Sequence, residues 1–419
     1  MKSIWKAVIT AVLLCSFFEL GCGDAYRPIA TPITQPGGDP ASTDTVGVIQ
    51  DAGTGQSGTL TQIDVSGDTN MAEKPIGKGA TMGALDATNA NIFVPNTDSD
   101  SVTSTTANTT VFVETTISLL SGSKPSYVTS TKSGVMYVAN SGSNSDCPTS
   151  GSVGVIDATS LALIKNICVT GTPTFLVQTP NTTQLFALDS SGNTVTIIDT
   201  TSSAPNTTAV VGSNPIFATM SPDENYLYVL NQGSNDISVV NIASAAVVAT
   251  LPVGGTGAHS MFYDKRLNRL YIPNTGSNTI SVFDLTNSAL PTVLIPPVTV
   301  GPAPVQVTAL LDGSRVYVLN SGNATVTELS AANLAAPALK TITVNSATGA
   351  TGTSITSSHD STRVYVATLD PTNTSNGVAI IRTSDDTLVT TIASPQFDRA
   401  CTGASCTRMS PTYVFTRVN

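Results

Sequence analysis

Two histidines, a few loop cations and six cysteines are the side chains of this 419-residue chain best suited to chemistry. His259, in GGTGAHSMF, is the best single acid–base candidate, because an imidazole changes charge near neutral pH and can take and return a proton. It is read as replacing a proline found at the equivalent place in four other repeats. With Lys78, Lys124, Asn214 and Arg408 it falls just before equivalent strands, a sparse, mildly basic set suited to an anion such as a carboxylate or sugar acid. No carboxylate is identifiable beside His259, and a general base needs an orienting partner. His359, in SSHDST, is assigned a turn role on the opposite face. The run from Asn96 through Asp98 to Asp100 alternates oxygen ligands as a calcium loop begins. Ser101 then stands where that loop needs glycine, and Ala107 where it needs a bidentate glutamate. Phosphate-loop, nucleophile-elbow, haem-attachment and zinc motifs are absent, so neither metal nor cofactor is expected.

The cysteines divide by position. Cys15 lies in an apolar leader, and Cys22 follows it in LGCG, where a lipid-modified N-terminus would form. Cys147 and Cys168 are expected to pair across a long loop, and Cys401 and Cys406 to close a small ring in CTGASC.

The elements that position these residues announce themselves by repetition. YVAN ends at Asn140, YVLN at Asn231 and Asn320, and YIPN at Asn274, with weaker copies ending at Asn96, Asp189 and Thr368. Successive copies are 44, 49, 42, 43, 46 and 48 residues apart. Around Asn231 the segments PIFATMSPD, YLYVLNQ, DISVVNIAS and AVVATLPVG are β-rich, of strand length and separated by turn residues. Such a period predicts an all-β propeller of four-stranded blades, a, b, c and d in order, each burying its faces only against neighbours. Asp223, Asp312 and Asp360 recur at the a–b turns, and the anchor asparagines are read as turn residues bonding local backbone. The d–a and b–c loops share one face, and the ligand site is expected there.

Seven anchors predict seven blades, but residues remain at both ends. TVGVIQDAG, GTLTQIDVSGD and NMAEKPIGKG resemble strands b, c and d, while SPTYVFTRVN resembles strand a. Eight blades, closed by the C-terminal strand pairing with the N-terminal blade, are therefore preferred, with seven as the alternative. The expected organisation is a signal peptide at 1–21, a lipidated Cys22 with a proline-rich tether over 22–43, and one propeller domain over 44–419. Charged residues make up only 11% of the chain and the net charge is −10, a balance that argues against nucleic acid.

YVANSGSNS, YVLNQGSNDISVVN and YIPNTGSNTISVFD resemble the YVTN-type β-propeller repeats of bacterial and archaeal surface proteins, over about residues 80–385. The leader, GCG and tether likewise resemble those of bacterial propeller lipoproteins. The resemblance implies an exported propeller, lipid-anchored in the cell envelope, and a regular scaffold with almost no convergent titratable groups leads to the expectation of a monomer that binds a protein or carbohydrate through its loop face without catalysis. The wider superfamily contains lactonase-like propellers, which makes a lactonase-like hydrolase with a central-channel site near His259 the alternative function.

Overall fold

The computed structural model describes residues 45–396 and 408–416, apart from 54, 66, 108–112, 131–133, 203 and 337–339, and apart from the side chains of 204–206. The leader, Cys22, the tether, Cys401 and Cys406 lie outside the described residues.

Eight four-stranded antiparallel sheets form the ring. Blade 4 is representative: Pro215–Met220, Tyr226–Asn231, Asp236–Asn241 and Ala246–Pro252 pair in sequence order as strands a to d. Blade 8 combines both ends of the chain, with Ser410–Phe415 as its strand a beside Thr45–Asp51, Ser57–Asp64 and Thr69–Lys78. The eight-bladed reading and the C-terminal closure are thus what the chain adopts, and the seven-bladed alternative falls. Closing the ring this way leaves no blade with an unpaired inner strand.

The burial of each strand follows its place in the blade. Strand b is buried on both faces, since blades pack on either side, and so reads as an uninterrupted apolar run in YLYVLN and RVYVLN. Strand d lies at the rim and alternates, as in Ala246–Pro252. Contacts between blades run chiefly through the inner strands a.

The anchor asparagines have a different task from the one expected. Asn96 and Asn320 are extended rather than left-handed, with φ of −115° and −98°. Each anchor is fully buried and donates across to strand c: Asn231 to Ser238 at 2.9 Å, Asn274 to Ser281 at 2.8 Å and Asn320 to Thr327 at 2.9 Å. The following d–a loop must come close over that amide. At Gly255 an added Cβ would stand 2.3 Å from the Asn274 amide nitrogen, so the VGG before strand a is a packing requirement. The residue after the anchor then stitches blade to blade, as Thr97 donates to the Pro125 carbonyl and Ser190 to that of Pro215, both at 2.6 Å. Cys147 and Cys168 form the expected disulfide, closing the long b–c loop of blade 2 onto the end of its strand d.

Candidate active site in the central channel

A repeated irregularity in the inner strands shapes the channel wall. Each opens with a residue paired to the end of strand b: Pro125 with Asn140, Pro173 with Asp189, Pro215 with Asn231, Pro304 with Asn320 and Pro411 with Gln50. The register then slips by one residue, and pairing resumes at Tyr127, Phe175, Phe217, Gln306 and Tyr413. A bulge of this kind bends the strand and re-aims its side chains. All five residues line the channel. Bridges from Ala80 to Asn96 and from Ala258 to Asn274 place Met82 and Ser260 at the same point in blades 1 and 5. In blade 7 the slip after Gly352 places Ser354 there.

Five consecutive blades, 8 through 4, therefore present Tyr413, Met82, Tyr127, Phe175 and Phe217, whereas blades 5 and 6 present Ser260 and Gln306; in blade 7 Ser354 is buried, its hydroxyl accepting the Val414 N–H at 3.2 Å, and Ile355 lines the lobe instead. The channel has an apolar arc and a polar arc. Tyr127 packs on Phe175 with ring centroids 4.3 Å apart, and Phe175 on Phe217 at 4.4 Å, both tilted by about 40°. Phe415 adds a further ring, seated where Gly47 and Gly83 leave room; a Cβ on either would meet it at 2.3 or 2.7 Å.

Toward the face carrying the a–b turns the channel widens into two lobes that share Phe217, Tyr263, Lys265, Tyr413, Phe415 and Thr416 in their walls. The larger, about 1050 Å³, lies over the apolar arc; the smaller, about 360 Å³, lies over the polar arc. Such volumes suit a small-molecule ligand.

Chemistry gathers in the smaller lobe. Asp264 ends the inner strand of blade 5 and is 5% exposed. Its Oδ1 accepts the backbone N–H groups of Arg266 at 2.9 Å and Leu267 at 3.1 Å, while its buried Oδ2 has no partner among the described residues. Burial raises its pKa above the ordinary aspartate value, against the lowering effect of those two N–H groups and of Arg269 and Arg266. His359 lines the same lobe, and its buried Nδ1 is likewise without a partner among the described residues. Both are polar atoms taken out of water and left without a partner among the described residues, as are the Oδ1 atoms of the anchor asparagines; these two, unlike those, belong to residues that line the lobe. Lys265 and Arg266 complete the charged lining, and Arg266 Nε donates to the Asp312 carbonyl at 3.1 Å.

The residues singled out from sequence lie elsewhere. Lys78, the last residue of strand d of blade 8, and Lys124, Asn214, His259 and Arg408, near the starts of inner strands, all sit on the opposite, d–a face, and none lines either lobe. Asn214 is left-handed, with φ of +53°, and donates to Gln232 at 3.2 Å. Arg408 is tied to the Ser394 and Thr374 carbonyls. Lys78 and Lys124 are exposed, and their backbone N–H groups donate to Ser99 and Asp100. Asp100 also accepts the Gly122 N–H, so the calcium-like run serves as loop structure.

His259 does not replace the strand-opening proline. Ala258 takes that place, opposite Asn274, and His259 is the next residue. The ring is exposed at the loop surface, with Nδ1 3.1 Å from the Val305 carbonyl. Desolvation by the loops around it lowers its pKa, and the Val305 contact acts in the opposite direction.

What sequence reasoning missed had a signal: PSY, PTF, PIF and PTY, at 125–127, 173–175, 215–217 and 411–413, repeat an aromatic two residues after the strand-opening proline. His359 and Asp264 carried none, because equivalent turns hold other polar residues for capping. Asp360, as expected, is such a cap, accepting from Ser358 and Thr362.

Comparison with known proteins agrees with the architecture and decides the family. The propeller of the periplasmic gluconolactonase of Pseudomonas aeruginosa superposes with a TM-score of 0.56 at 16% identity, covering 72% of this chain and 97% of that one. A 6-phosphogluconolactonase assigned in Bacteroides fragilis gives 0.56 at 15% identity, over 73% and 98%. The dihydro-haem d1 dehydrogenase NirN gives 0.68 at 14% identity, over 88% and 77%. At these identities the likeness is one of fold. No curated protein sequence matched. The sequence model described as "Lactonase, 7-bladed beta-propeller" matches residues 149–396, well over half of the chain. That match overturns the expectation of a non-enzymatic binding module, and the chain belongs to the lactonase propeller family.

Proposed function

We propose that this protein is a lactonase-like hydrolase whose reaction takes place in the smaller lobe of the channel, on the a–b turn face. The observation that carries the reading is the pair of buried, unpartnered proton acceptors, Asp264 Oδ2 and His359 Nδ1, lining one cavity in a chain of the lactonase family.

Opening a lactone requires water to add to the ring carbonyl, the carbonyl oxygen to hold negative charge, and the ring oxygen to leave with a proton. Asp264 is assigned as the base that takes the proton from water. Its carboxyl is held by two backbone N–H groups, and burial lifts its proton affinity toward the range in which a base is effective. His359 is assigned to give a ring N–H proton to the departing ring oxygen and to be reprotonated, through solvent, by the proton that Asp264 took from water. Arg266 and Lys265, on the same lobe, supply positive potential for the developing oxyanion and for the carboxylate product. Hydrolysis consumes one water, breaks the acyl–oxygen bond and releases a hydroxy acid, so each turnover yields one proton at neutral pH.

The decisive experiment is proton release from lactones by the purified protein. Asp264→Asn and His359→Gln should each lower kcat by about 100-fold or more, as loss of a general acid or base does. The reading fails if the wild type opens no lactone, or if both variants keep the full rate.

The compartment belongs to the same proposal. Cys147 and Cys168 are joined, and such bonds persist outside the reducing cytosol. This supports export, as do the leader and the resemblance of the repeats to YVTN-type envelope propellers.

A further inference from the structure

We propose that the substrate is an uncharged lactone with a bulky apolar or aromatic substituent, lying with its ring against the polar arc and its substituent over the apolar arc. This rests on the hydrolase reading and goes beyond it, because it separates this chain from the sugar and phosphosugar lactones named for similar propellers.

Three observations carry it. The first is the division of the bulge positions, in which five consecutive blades contribute Tyr413, Met82, Tyr127, Phe175 and Phe217 and only blades 5 and 6 contribute polar residues, Ser260 and Gln306. A polyol bound across such a wall would find little beyond the two tyrosine hydroxyls to replace its hydrogen bonds to water, while an apolar group gains from burial there.

The second is charge. Around the larger lobe the acidic Asp86 and Glu224 outnumber the basic Lys265, on a chain of net charge −10. A phosphate or carboxylate substituent lying in that lobe would meet repulsion rather than a cationic clamp. Asp86 is moreover consumed in its own turn, accepting from Thr88, Ala90 and Asn91, and offers no polar contact in exchange.

The third is the tyrosine pair. Tyr127 and Tyr413 pack on one apolar cluster with Met82 and lie close enough for their charges to couple. Burial raises the pKa of both, so both remain neutral phenols throughout the working range. They give the apolar arc hydroxyl donors for an ester oxygen without adding charge.

The test compares kcat/KM for dihydrocoumarin, an aryl lactone, with that for glucono-δ-lactone, and repeats both in Phe217→Ala. Dihydrocoumarin should be favoured by roughly 100-fold, and Phe217→Ala should raise its KM about 10-fold and that of glucono-δ-lactone by a clearly smaller factor, the loss expected for one aromatic wall. Phe217→Leu, which keeps most of the packing, serves if the alanine variant does not fold, and should shift KM in the same direction by a smaller factor. Equal or better turnover of glucono-δ-lactone overturns the proposal and leaves the hydrolase reading standing. If neither lactone is opened, the hydrolase reading falls, and calorimetric titration with coumarin decides the apolar arc separately. Saturable binding that weakens about 10-fold in Phe217→Ala supports it, and no binding to wild type overturns it.

Discussion

Asp264 places activity and stability in opposition. Its folded pKa is raised by burial, so the folded protein holds that proton more tightly than the unfolded chain does. Its contribution to stability is therefore greatest at low pH and declines as pH rises from the ordinary aspartate range through the folded value. Asn keeps the Oδ1 that caps Arg266 and Leu267 and removes the buried charge. Asp264→Asn should thus hold or raise Tm at pH 7 to 8 while lowering lactone turnover, a split that a merely structural aspartate would not give. Glu328 provides a second pH test away from the site. Burial, and then the neighbouring Asp386 carboxylate, push its carboxyl up to about 7, although Arg315 Nε stands 3.3 Å away. The same sign applies: stability should fall as pH rises from about 4.5 to 7, by on the order of 2 kcal/mol. Glu328→Gln should flatten that slope in thermal melts taken at pH 5 and pH 8.

Within one blade, the repeating unit is a set of contacts that a sequence shows only in outline. The period and the four strand segments were legible because both faces of strand b are buried and only strand d alternates. The job of the anchor asparagine was not, since reaching across to Ser238 or Ser281 depends on the b–c register, and its need for a nearby glycine depends on where the d–a loop returns. Gly255→Ala should accordingly cost about 1–3 kcal/mol in urea unfolding, because its Cβ would meet the buried Asn274 amide in a filled core. The Cys147–Cys168 bridge spans 21 residues of chain. Replacing both with alanine should lower stability by about 2–4 kcal/mol, read from the same denaturation curves, while leaving lactone turnover unchanged, because the bridge lines neither lobe.

At the scale of the whole ring, closure and the site are one event. The strand Ser410–Phe415 completes blade 8 and also supplies Tyr413 and Phe415 to the channel wall. Beside it, Arg363 of blade 7 meets Asp68 of blade 8 at 3.0 Å, a second tie across the seam. A chain ending at Met409 should therefore lose turnover and cooperative melting together, and a synthetic peptide spanning residues 408–419 should restore both by strand addition. The family description counts seven blades, yet eight sheets close here. The matched span, 149–396, begins inside blade 2 and stops short of the clasp strand.

By itself the sequence determined the blades and pointed to an eighth closed by the C-terminal strand, because those follow from a local alternation of apolar and turn residues repeated along the chain; the choice of eight over seven was made by the pairing of the two ends. It also determined the disulfide of blade 2, since the four-strand order brings that loop to the end of strand d. Which face holds the cavity was decided only by the tertiary structure. A one-residue bulge in each inner strand chooses the side chain that enters the channel, and the ring then sums eight such choices into an apolar arc and a polar one. His259 and His359 differ little as sequence; their separation arises because one ends in a loop against a carbonyl and the other on the wall of a cavity that a buried carboxyl also lines.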